Sequence, residues 1–412
     1  MLDLHQQLDI DPDALFLESR DRTLSYGKVN DLVRIRARDL GDRAGGQVVV
    51  RPRIDVESVV EFLAVARAGA TAVAVSPNLP EELAATEIEA ARSDTRPCRS
   101  ILFTSGSSGN PKGVRLTTSN WEATAQASIA RLGHGSGDRW LCPLPLHHVG
   151  GLSVIYRTMA AGGSVVLVPE AADIAAWMSR VRFASLVPTQ LHRVLRARTD
   201  AFRPRPVALV GGGPANPDLL DKAATAGVVA LPTYGMTETT SQVATARPGD
   251  SHRRLFALEG VNLKIGSDGR IEVRGPTVSP GYLGEPERSQ GAWFPTADRG
   301  RIEIDGSLVV LGRLDRVIIS GGEKIDPSPV EAAIQAHPGV SDVAVIALPD
   351  REWGQIVAAA YAGSIKPDQL RSFIATQLPN YAVPKRWLQL EVLPRTDLGK
   401  IDTQRLIRMF LP

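Results

Sequence analysis

The sequence has few of the features that mark several large protein classes. Its 412 residues include only two cysteines, Cys98 and Cys142, in no CxxC or Cys/His spacing, which excludes a disulfide scaffold and a structural zinc site. No block of one charge is present, since 47 Lys and Arg residues stand against 45 Asp and Glu residues, and this argues against a dedicated nucleic-acid binder. No run approaches the roughly 20 apolar residues of a membrane span, and no basic segment leads into an apolar one at the start. These absences predict a cytoplasmic protein with no membrane span; they leave the oligomeric state open, a homo-oligomer included.

The residues that are present predict a large α/β domain. With 43% hydrophobic and 22% charged residues the chain can bury a substantial core in two or more domains. Short Val, Ile and Leu runs separated by helix-length segments such as 173–181 predict a mainly parallel sheet covered by helices. The predicted strands include 100–104, 164–168, 185–187 and 207–210.

The pattern changes after about residue 260. Short alternating strands with Asp-Gly pairs at 268–269 and 305–306 predict antiparallel hairpins in a β-rich subdomain. From Pro327 a helix, two strands and a second helix predict a compact α+β unit. We therefore expect a large N-terminal domain over 1–314 and a small, mobile C-terminal domain over 315–412.

A glycine- and hydroxyl-rich segment follows the predicted strand 100–104 and is typical of a phosphate-binding loop. Glycines let the backbone approach an anion, hydroxyl groups donate hydrogen bonds, and a lysine supplies positive charge. The candidate residues are Thr104, Ser105, Gly106, Ser107, Ser108, Gly109 and Lys112. The loop is not a Walker A motif, because Pro111 precedes Lys112 and Gly113 follows it. Taken alone, the segment also fits an ordinary surface loop.

Four further blocks follow in a fixed order. They are YGMTE at 234–238, TAD at 296–298, GRLDR at 312–316 and PRTDLGK at 394–400. Together with the loop, they resemble the signatures of the adenylate-forming superfamily, which holds acyl-CoA synthetases, peptide-synthetase adenylation domains and luciferases. The resemblance implies that ATP and Mg²⁺ activate a carboxylate to an acyl-adenylate, and that a thiol, CoA as cosubstrate, then takes the acyl group.

The resemblance also implies roles for individual residues. Lys400 would bridge the carboxylate and the phosphate, Lys112 would meet the phosphates, Glu238 would bind Mg²⁺, and Asp315 would be the hinge of the C-terminal domain. Further ATP-binding positions are Gly211, Gly212, Gly213, Tyr234, Gly235, Met236, Thr237, Asp298 and Arg313. The acyl substrate would meet His148, Thr189, Gly212, Gly235 and Thr237, with His148 catalytic, and CoA would meet Ser320, Gly321 and Gly322. For His148 a structural role, and for 320–322 a plain hairpin turn, remain open from the residues alone.

Two segments narrow the resemblance. LVGGGPANPDLL at 209–220 and YGMTETTSQVAT at 234–245 resemble the o-succinylbenzoate-CoA ligase family of menaquinone or phylloquinone biosynthesis. The chain differs from that family at His147 and His148, where Phe-His is common. The residues leave three alternatives: another aryl- or acyl-CoA synthetase, an adenylation protein that loads a carrier-protein thiol, and an adenylate-binding protein without catalysis.

Overall fold

A computed structural model describes residues 11–104, 112–198, 200–396 and 401–410. These residues divide into two compact units. Unit 1 lies within Met1–Lys264, Glu272–Phe294 and Glu303–Leu308, and unit 2 within Ile265–Ile271, Pro295–Ile302 and Val309–Pro412. Each unit is described by itself below.

Four of the eight helices that the structure describes in unit 1 begin at a residue whose side chain caps them. Ser25, Asp55, Thr117 and Asn216 each accept a hydrogen bond from a backbone N–H in the first turn of the helix that follows. The helices are α1 Tyr26–Leu40, α2 Val56–Arg67, α3 Glu81–Arg92, α4 Thr118–Leu132, α5 Val149–Ala161, α6 Ile174–Met178, α7 Pro188–Ala197 and α8 Pro217–Thr225. Helix α6 is shorter than the segment 173–181 that the sequence predicted.

Unit 1 contains two sheets built mainly from parallel strands. Its strands are β1 Leu15–Glu18, β2 Thr23–Ser25, β3 Gln47–Val50, β4 Thr71–Ala74, β5 Ser100–Thr104, β6 Lys112–Leu116, β7 Arg139–Cys142, β8 Ser164–Leu167, β9 Phe183–Leu186, β10 Val207–Val210, β11 Val229–Met236, β12 Ser241–Ala246, β13 Leu255–Ala257 and β16 Gly281–Tyr282. The first sheet has the order β16-β6-β5-β4-β3, and in it β3, β4 and β5 are parallel. In the second, β13-β12-β11-β10-β9-β7-β8-β1-β2, the strands from β11 to β1 are parallel. The predicted parallel sheets covered by helices are therefore confirmed.

The core of unit 1 lies between these sheets and their helices. Trp121 of α4 and Tyr156 of α5 are fully buried, with ring centroids 4.7 Å apart, while Trp140 of β7 stacks on Phe183 of β9 at 4.9 Å. Two indole N–H groups find buried acceptors, the hydroxyls of Ser100 and Ser185, so the aromatic core leaves neither of these donors without a partner.

Strands β14 Asn262–Ile265, β15 Arg270–Arg274, β17 Phe294–Ile302 and β18 Leu308–Arg313 each contribute residues to both units. Two glycines with positive φ stand at the predicted Asp-Gly turns, Gly269 at +81° and Gly306 at +81°, as tight turns require. The β-rich pattern expected after residue 260 is thus present.

Unit 2 carries a mixed sheet with a hydrophobic core on each side. Its elements are β19 Ile318–Ser320, β20 Glu323–Ile325, α9 Pro327–Gln335, β21 Val340–Asp350, β22 Gly354–Gly363, α10 Pro367–Ala375, β23 Arg386–Leu390 and α11 Thr403–Phe410. Helices α9 and α10 cover one core, which includes Ile334 and Ile374, and α11 covers the other with Leu406 and Phe410. The predicted helix–strand–strand–helix order is confirmed, whereas β23 and α11 were not predicted. In the described part of the chain, no helix has the length and hydropathy to cross a membrane.

Candidate active site

The carboxyl ends of four parallel strands bring most of the predicted acyl and adenine residues of unit 1 to one edge. Strands β7, β9, β10 and β11 run in parallel, and the segments that leave their ends are 143–148, 187–189, 211–213 and 237–238. In open α/β sheets this edge is where ligands bind. The amide of Gln190, in the first turn of α7, donates to the Pro143 carbonyl at 3.1 Å and so joins two of these segments.

The glycine turn at 211–213 fits closely against its neighbours. A Cβ on Gly211 would lie 2.8 Å from Thr233 Cγ2, and one on Gly212 would lie 3.3 Å from Val187 Cγ1. Gly212 also has a φ of +78°, which L side chains rarely adopt. A Cβ on Gly213, by contrast, would meet nothing closer than Pro188 Cγ at 4.0 Å. The first two glycines are therefore required by packing and backbone, while Gly213 leaves space for a ligand.

The YGMTE segment forms the end of β11 and a short 3-10 turn over Thr237–Thr239. A Cβ on Gly235 would lie 1.7 Å from the Ser241 carbonyl oxygen, so only glycine permits this close pairing with β12. The turn ends at Thr240, a β-branched residue with a φ of +52°, and Ser241 has a φ of +90°. Two left-handed residues in succession are strained, and such strain is characteristic of binding sites. The Thr240 hydroxyl donates to the Thr277 carbonyl at 2.7 Å and holds the turn in place.

His148 and Thr189 stand at the start of two helices at this edge. His148 is the N-cap of α5, and its ring centroid lies 4.1 Å from that of the buried His147. In the first turn of the same helix, a Cβ on Gly151 would lie 2.3 Å from the Pro145 carbonyl oxygen, so the helix can approach the segment 143–148 only with glycine at this position. Thr189 lies in the first turn of α7 and is partly exposed. Both residues therefore stand where a ligand at the sheet edge can reach them.

The two ends of the predicted phosphate loop are held together in the first sheet. Thr104 ends β5, Lys112 begins β6, and the two residues pair in the antiparallel ladder. Ser105, Gly106, Ser107, Ser108 and Gly109 lie outside the described residues. After the loop, a Cβ on Gly113 would lie 2.2 Å from Leu283 Cδ1, so this glycine is needed for the packing of Leu283.

Lys112, Tyr282 and Glu238 form one cluster in unit 1. The Tyr282 hydroxyl donates to Glu238 Oε1 at 2.8 Å, and Lys112 Nζ lies 4.8 Å from the centroid of the Tyr282 ring. Lys112 Nζ also lies 3.3 Å from Glu285 Oε1. Burial and the neighbouring Glu238 carboxylate raise the pKa of Tyr282, so its phenol remains a donor at neutral pH.

The cluster has the chemistry of a site for Mg²⁺ held together with phosphate. Mg²⁺ prefers oxygen ligands, keeps several waters, and is bound by one or two carboxylates plus substrate phosphates. The described residues contain no group of three or more His, Cys, Asp or Glu side chains suited to a metal. Glu238 offers a single carboxylate, one oxygen of which accepts the hydrogen bond from Tyr282, and the Lys112 ammonium group lies over the ring of the same tyrosine. This donor set fits a magnesium ion that arrives with ATP better than a resident metal.

The segment 276–288, here called the bridging segment, is held by both sides of the site. Asn120 Nδ2 donates to the carbonyls of Pro276 and Val278 at 2.7 and 3.0 Å, and the Ser279 N–H donates to the Glu238 carbonyl at 2.9 Å. Its strand β16 then pairs with β6, where Tyr282 lies opposite Val114.

Buried charges hold the far end of the bridging segment. Arg115, only 1% exposed, donates to Glu287 Oε1 at 2.7 Å and lies 3.8 Å from Asp94 Oδ2. Arg96 bonds Asp94 through its guanidinium and donates to the Glu285 carbonyl at 2.8 Å. The hydrogen bonds from Arg96 lower the pKa of Asp94 to about 2, so this carboxylate is ionised at neutral pH.

A second buried guanidinium lies behind the YGMTE turn. Arg157 of α5 is 3% exposed and donates to Gln242 Oε1 at 2.7 Å and to the Ser153 carbonyl at 3.0 Å. Its Nη2 bonds Ser153 Oγ and lies 3.4 Å from Ser241 Oγ. Burial lowers the pKa of Arg157 to about 10, and no described carboxylate forms an ion pair with it. This charge is thus held by neutral groups, two of which, Ser241 and Gln242, belong to β12.

The predicted ribose and hinge residues form a cluster in unit 2. Arg313 donates from Nε and Nη2 to the two carboxylate oxygens of Asp315, at 2.8 and 2.5 Å, and its Nη1 lies 3.8 Å from Asp298 Oδ1. The side chain of Asp298 is 14% exposed, and its backbone N–H donates to the hydroxyl of the buried Thr296 at 3.1 Å. One guanidinium therefore contacts both predicted carboxylates.

The predicted CoA segment is a two-residue hairpin turn. Ser320 ends β19 and pairs with Glu323 of β20, while Gly321 and Gly322 have φ values of +58° and +89°. A Cβ on Gly321 would lie 2.5 Å from Trp353 Cε3, whereas one on Gly322 would meet open space. Lys400, the predicted catalytic lysine, lies outside the described residues.

Three residues of these clusters were missed by sequence reasoning. Tyr282 and Glu285 contact Glu238 and Lys112 from 44 and 173 residues away in the chain, and no local motif marks such a pair. Arg157 lies in an apolar helix, and its single charge there was the signal that could have drawn attention to it.

Comparisons with known proteins find relatives that cover most of the chain. Residues 86–283 match the model of the AMP-binding enzyme family, and residues 329–400 match that of the AMP-binding enzyme C-terminal domain. The 2-succinylbenzoate–CoA ligase of Listeria monocytogenes is 35% identical over 322 residues, which cover 74% of this chain and 69% of that protein.

Two solved structures of the o-succinylbenzoate CoA synthetase of Bacillus subtilis, each 26% identical to this chain, have the same fold. The complex with the acyl-adenylate OSB-AMP has a TM-score of 0.88 and covers 98% of this chain and 97% of its own. The complex with ATP and magnesium has a TM-score of 0.87 and covers 98% of each chain.

Proposed function

The chain belongs to the AMP-binding enzyme family, and we propose that it is an AMP-forming ligase that joins o-succinylbenzoate to CoA. The observation that carries this proposal is the cluster of Lys112, Tyr282 and Glu238 beside the sheet edge that holds the acyl and adenine candidates. The reaction uses ATP, Mg²⁺ and CoA and belongs to menaquinone biosynthesis. We also propose that the protein works in the cytoplasm.

In the first half-reaction a carboxylate oxygen of the substrate attacks the α-phosphorus of ATP. A new O–P bond forms, the bond to the β-phosphate bridging oxygen breaks, and pyrophosphate leaves. Negative charge grows on the transferred phosphate, so cationic and N–H donors already in place stabilise the transition state most. We assign this role to Lys112 and Lys400, with Thr104, residues 105–109 and Thr237 as donors to the phosphates.

Glu238 would hold the magnesium ion, and the ion would supply positive charge that neutralises the phosphates of ATP. The adenine lies against Tyr234 and the glycines 211–213, and Asp298 accepts hydrogen bonds from the ribose hydroxyls, assisted by Arg313. The acyl group lies at the sheet edge near Thr189, Gly235 and His148, with His148 orienting the carboxylate.

In the second half-reaction the CoA thiol gives its proton to solvent and its sulfur attacks the acyl carbonyl. A C–S bond forms, the C–O bond between the acyl group and the phosphate breaks, and AMP leaves. We assign the passage of the thiol arm to the hairpin Ser320–Gly322, whose two glycines carry no side chains there. Lys400 acts in the first half-reaction only, and the C-terminal domain, residues 315–412, moves at Asp315 between the two.

The test is pyrophosphate release with a panel of carboxylic acids, o-succinylbenzoate included, each with and without CoA. We expect turnover to be highest with o-succinylbenzoate and to yield its CoA thioester. Preference for another acid would contradict the proposed substrate but leave the proposed reaction standing. Pyrophosphate release without any CoA thioester would contradict the role of CoA as the acceptor.

The role of Lys400 is tested separately. Lys400→Ala should lower the rate of adenylate formation at least about 100-fold, because a transition-state charge contact is lost. Transfer of a supplied acyl-adenylate to CoA should remain largely intact. Lys366→Ala, which removes an exposed lysine at the start of α10, is the control. Equal loss of both half-reactions in Lys400→Ala would contradict the assignment.

A further inference from the structure

We propose that Tyr282 is a positioning residue that holds the Glu238 carboxylate for the magnesium–ATP complex and orients the Lys112 ammonium group over its ring. The inference rests on the proposed function, because it takes Glu238 as the magnesium ligand. It assigns a role to a residue that no motif of the sequence marks.

The hydrogen bond from Tyr282 restricts Glu238 to one orientation. Glu238 lies in a three-residue 3-10 turn that is partly exposed, so its side chain gains little from packing. Among the described residues, Tyr282 is the one whose side chain hydrogen bonds the Glu238 carboxylate, through Oε1 at 2.8 Å. A ligand oriented in advance loses less conformational entropy when it binds a metal.

The ring of the same tyrosine contacts the lysine. Lys112 Nζ lies 4.8 Å from the ring centroid, within the range of a cation–π interaction. Its other described contact is Glu285 at 3.3 Å, and both partners belong to the bridging segment. Tyr282 thus contacts the Glu238 carboxylate through its hydroxyl and the Lys112 ammonium group through its ring. In the proposed function both of these charged groups act on the phosphates of ATP.

The backbone around Tyr282 is fixed from both sides. Tyr282 pairs with Val114 in the β16–β6 ladder, and the N–H of Leu283 donates to the Gly113 carbonyl at 2.9 Å. On the other side, the N–H of Ser279 donates to the Glu238 carbonyl. The segment therefore ties the flank of the phosphate loop to the turn that carries Glu238, and Tyr282 completes this connection with its side chain.

The experiment measures how strongly Mg²⁺ strengthens ATP binding. ATP affinity is determined by calorimetry with Mg²⁺ and with EDTA, and the ratio of the two affinities is compared among variants. We expect Tyr282→Phe to lower this ratio about tenfold, as loss of a residue that orients a metal ligand does. ATP affinity in EDTA should remain unchanged, because the ring under Lys112 is kept. Tyr282→Leu removes the ring as well and should also weaken ATP in EDTA.

Tyr26→Phe is the matched control. Tyr26 is buried in unit 1, and its hydroxyl donates to the Gly163 carbonyl at 2.7 Å. It directly follows β2, which is an edge strand of the second sheet and is separated from β11 by five strands. This variant loses a phenol hydrogen bond of similar geometry and should leave the Mg²⁺ ratio unchanged. If Tyr26→Phe lowers the ratio as much as Tyr282→Phe, the effect is a general loss of stability and the inference is wrong.

A double-mutant cycle with Glu238→Gln separates this inference from the proposed function. If Tyr282 acts through Glu238, Tyr282→Phe should change the Mg²⁺ ratio no further in the Glu238→Gln background. Additive effects would overturn the positioning role. A wild-type protein whose ATP binding did not depend on Mg²⁺ would instead overturn the role proposed for Glu238, before any Tyr282 variant is made.

Discussion

At the scale of single residues, the most unusual group is the buried guanidinium of Arg157. A buried charge is normally paired with an opposite one, because leaving water is costly. Arg157 instead donates hydrogen bonds to the Ser153 carbonyl and to the side chain of Gln242, which belongs to β12. Its hydrogen bonds compensate for the lost hydration, and they fix the strand that follows the YGMTE turn.

Replacement of Arg157 by methionine should therefore destabilise the protein. Arg157→Met leaves Gln242 Oε1 and the Ser153 carbonyl without this donor and should lower the free energy of unfolding by about 2–3 kcal/mol. Urea unfolding measures the change, with Arg193→Met, at an exposed position of α7, as the control. A variant as stable as the wild type would mean that the desolvation of the charge cancels its hydrogen bonds.

The buried carboxyl group of Glu87 leads to a second prediction, that the free energy of unfolding depends on pH. This carboxyl is 7% exposed on the inner face of α3, beside Ala84 and Ala91, and burial raises its pKa from 4.5 to about 7. Between these values the folded state keeps a proton that the unfolded state has lost, so the free energy of unfolding falls as pH rises through this window. The loss is complete above pH 7.

Glu87→Gln should accordingly stabilise the protein at pH 8, by about 2 kcal/mol, and change little at pH 4.5. Chemical denaturation at the two pH values tests this. Glu89→Gln, at an exposed position of the same helix, should show no such difference. Equal stabilities of Glu87→Gln and wild type at pH 8 would contradict the prediction.

The candidate site residues that the sequence predicts stand in contiguous motifs. Lys112 belongs to a glycine- and hydroxyl-rich run that is typical of phosphate binding, and Glu238 belongs to the YGMTE block. Tyr282, by contrast, pairs with Val114 of β6 and donates a hydrogen bond to Glu238 in the turn after β11. These contacts are made by the tertiary fold and cannot be found in a local motif. Sequence reasoning proposed Glu238 and Lys112 as candidates and missed Tyr282, Glu285 and Arg157, whose partners are distant in the chain.

At the scale of secondary structure, the start of α4 both caps a helix and anchors the bridging segment. Thr117 and Asn120 form a reciprocal capping box, and the Asn120 amide also donates to two carbonyls of residues 276 and 278. Loss of the cap alone costs about 1 kcal/mol.

Asn120→Ala should therefore cost more than Thr117→Ala, about 3 kcal/mol against about 1 kcal/mol, because it also leaves two carbonyls unpaired. Urea unfolding gives both values. Amide hydrogen exchange should report faster exchange in the bridging segment in Asn120→Ala only. Equal exchange in the two variants would mean that Asn120 does not hold this segment.

Strands with strong apolar runs were predictable because their burial on both faces shows in the sequence. Strands β5 and β10 coincide with the predicted 100–104 and 207–210. Strand β23 escaped prediction because its residues are half exposed, and α11 because only Leu406 and Phe410 of its eight residues are buried. Helix α6 stops after Met178, since the chain must turn into β9.

At the scale of the whole molecule, unit 2 contains two cores that draw only on residues from 318 onward. One core includes Ile318, Val345 and Ile374, and the other includes Ile346 and Phe410. A domain of about 100 residues with a sheet covered on both sides is large enough to fold alone.

The fragment 315–412 should therefore fold by itself and unfold cooperatively in urea, as monitored by circular dichroism. Ile374→Asp in this fragment places a charge in a core and should abolish the transition. Absence of a cooperative transition in the unmodified fragment would show that residues 265–271, 295–302 or 309–314 are needed for the fold of unit 2.

The bridging segment has a consequence for insertions and deletions during evolution. Its length is fixed between the Thr277 carbonyl, which Thr240 binds, and Tyr282, which lies opposite Val114. Because strand faces alternate with every residue, one added residue between these points would turn the tyrosine away from the glutamate. Beyond Arg288, whose N–H binds the Pro280 carbonyl, no such constraint applies to the exposed turn around Gly291. Gaps in related sequences should therefore accumulate after position 288 and be absent from 277–282.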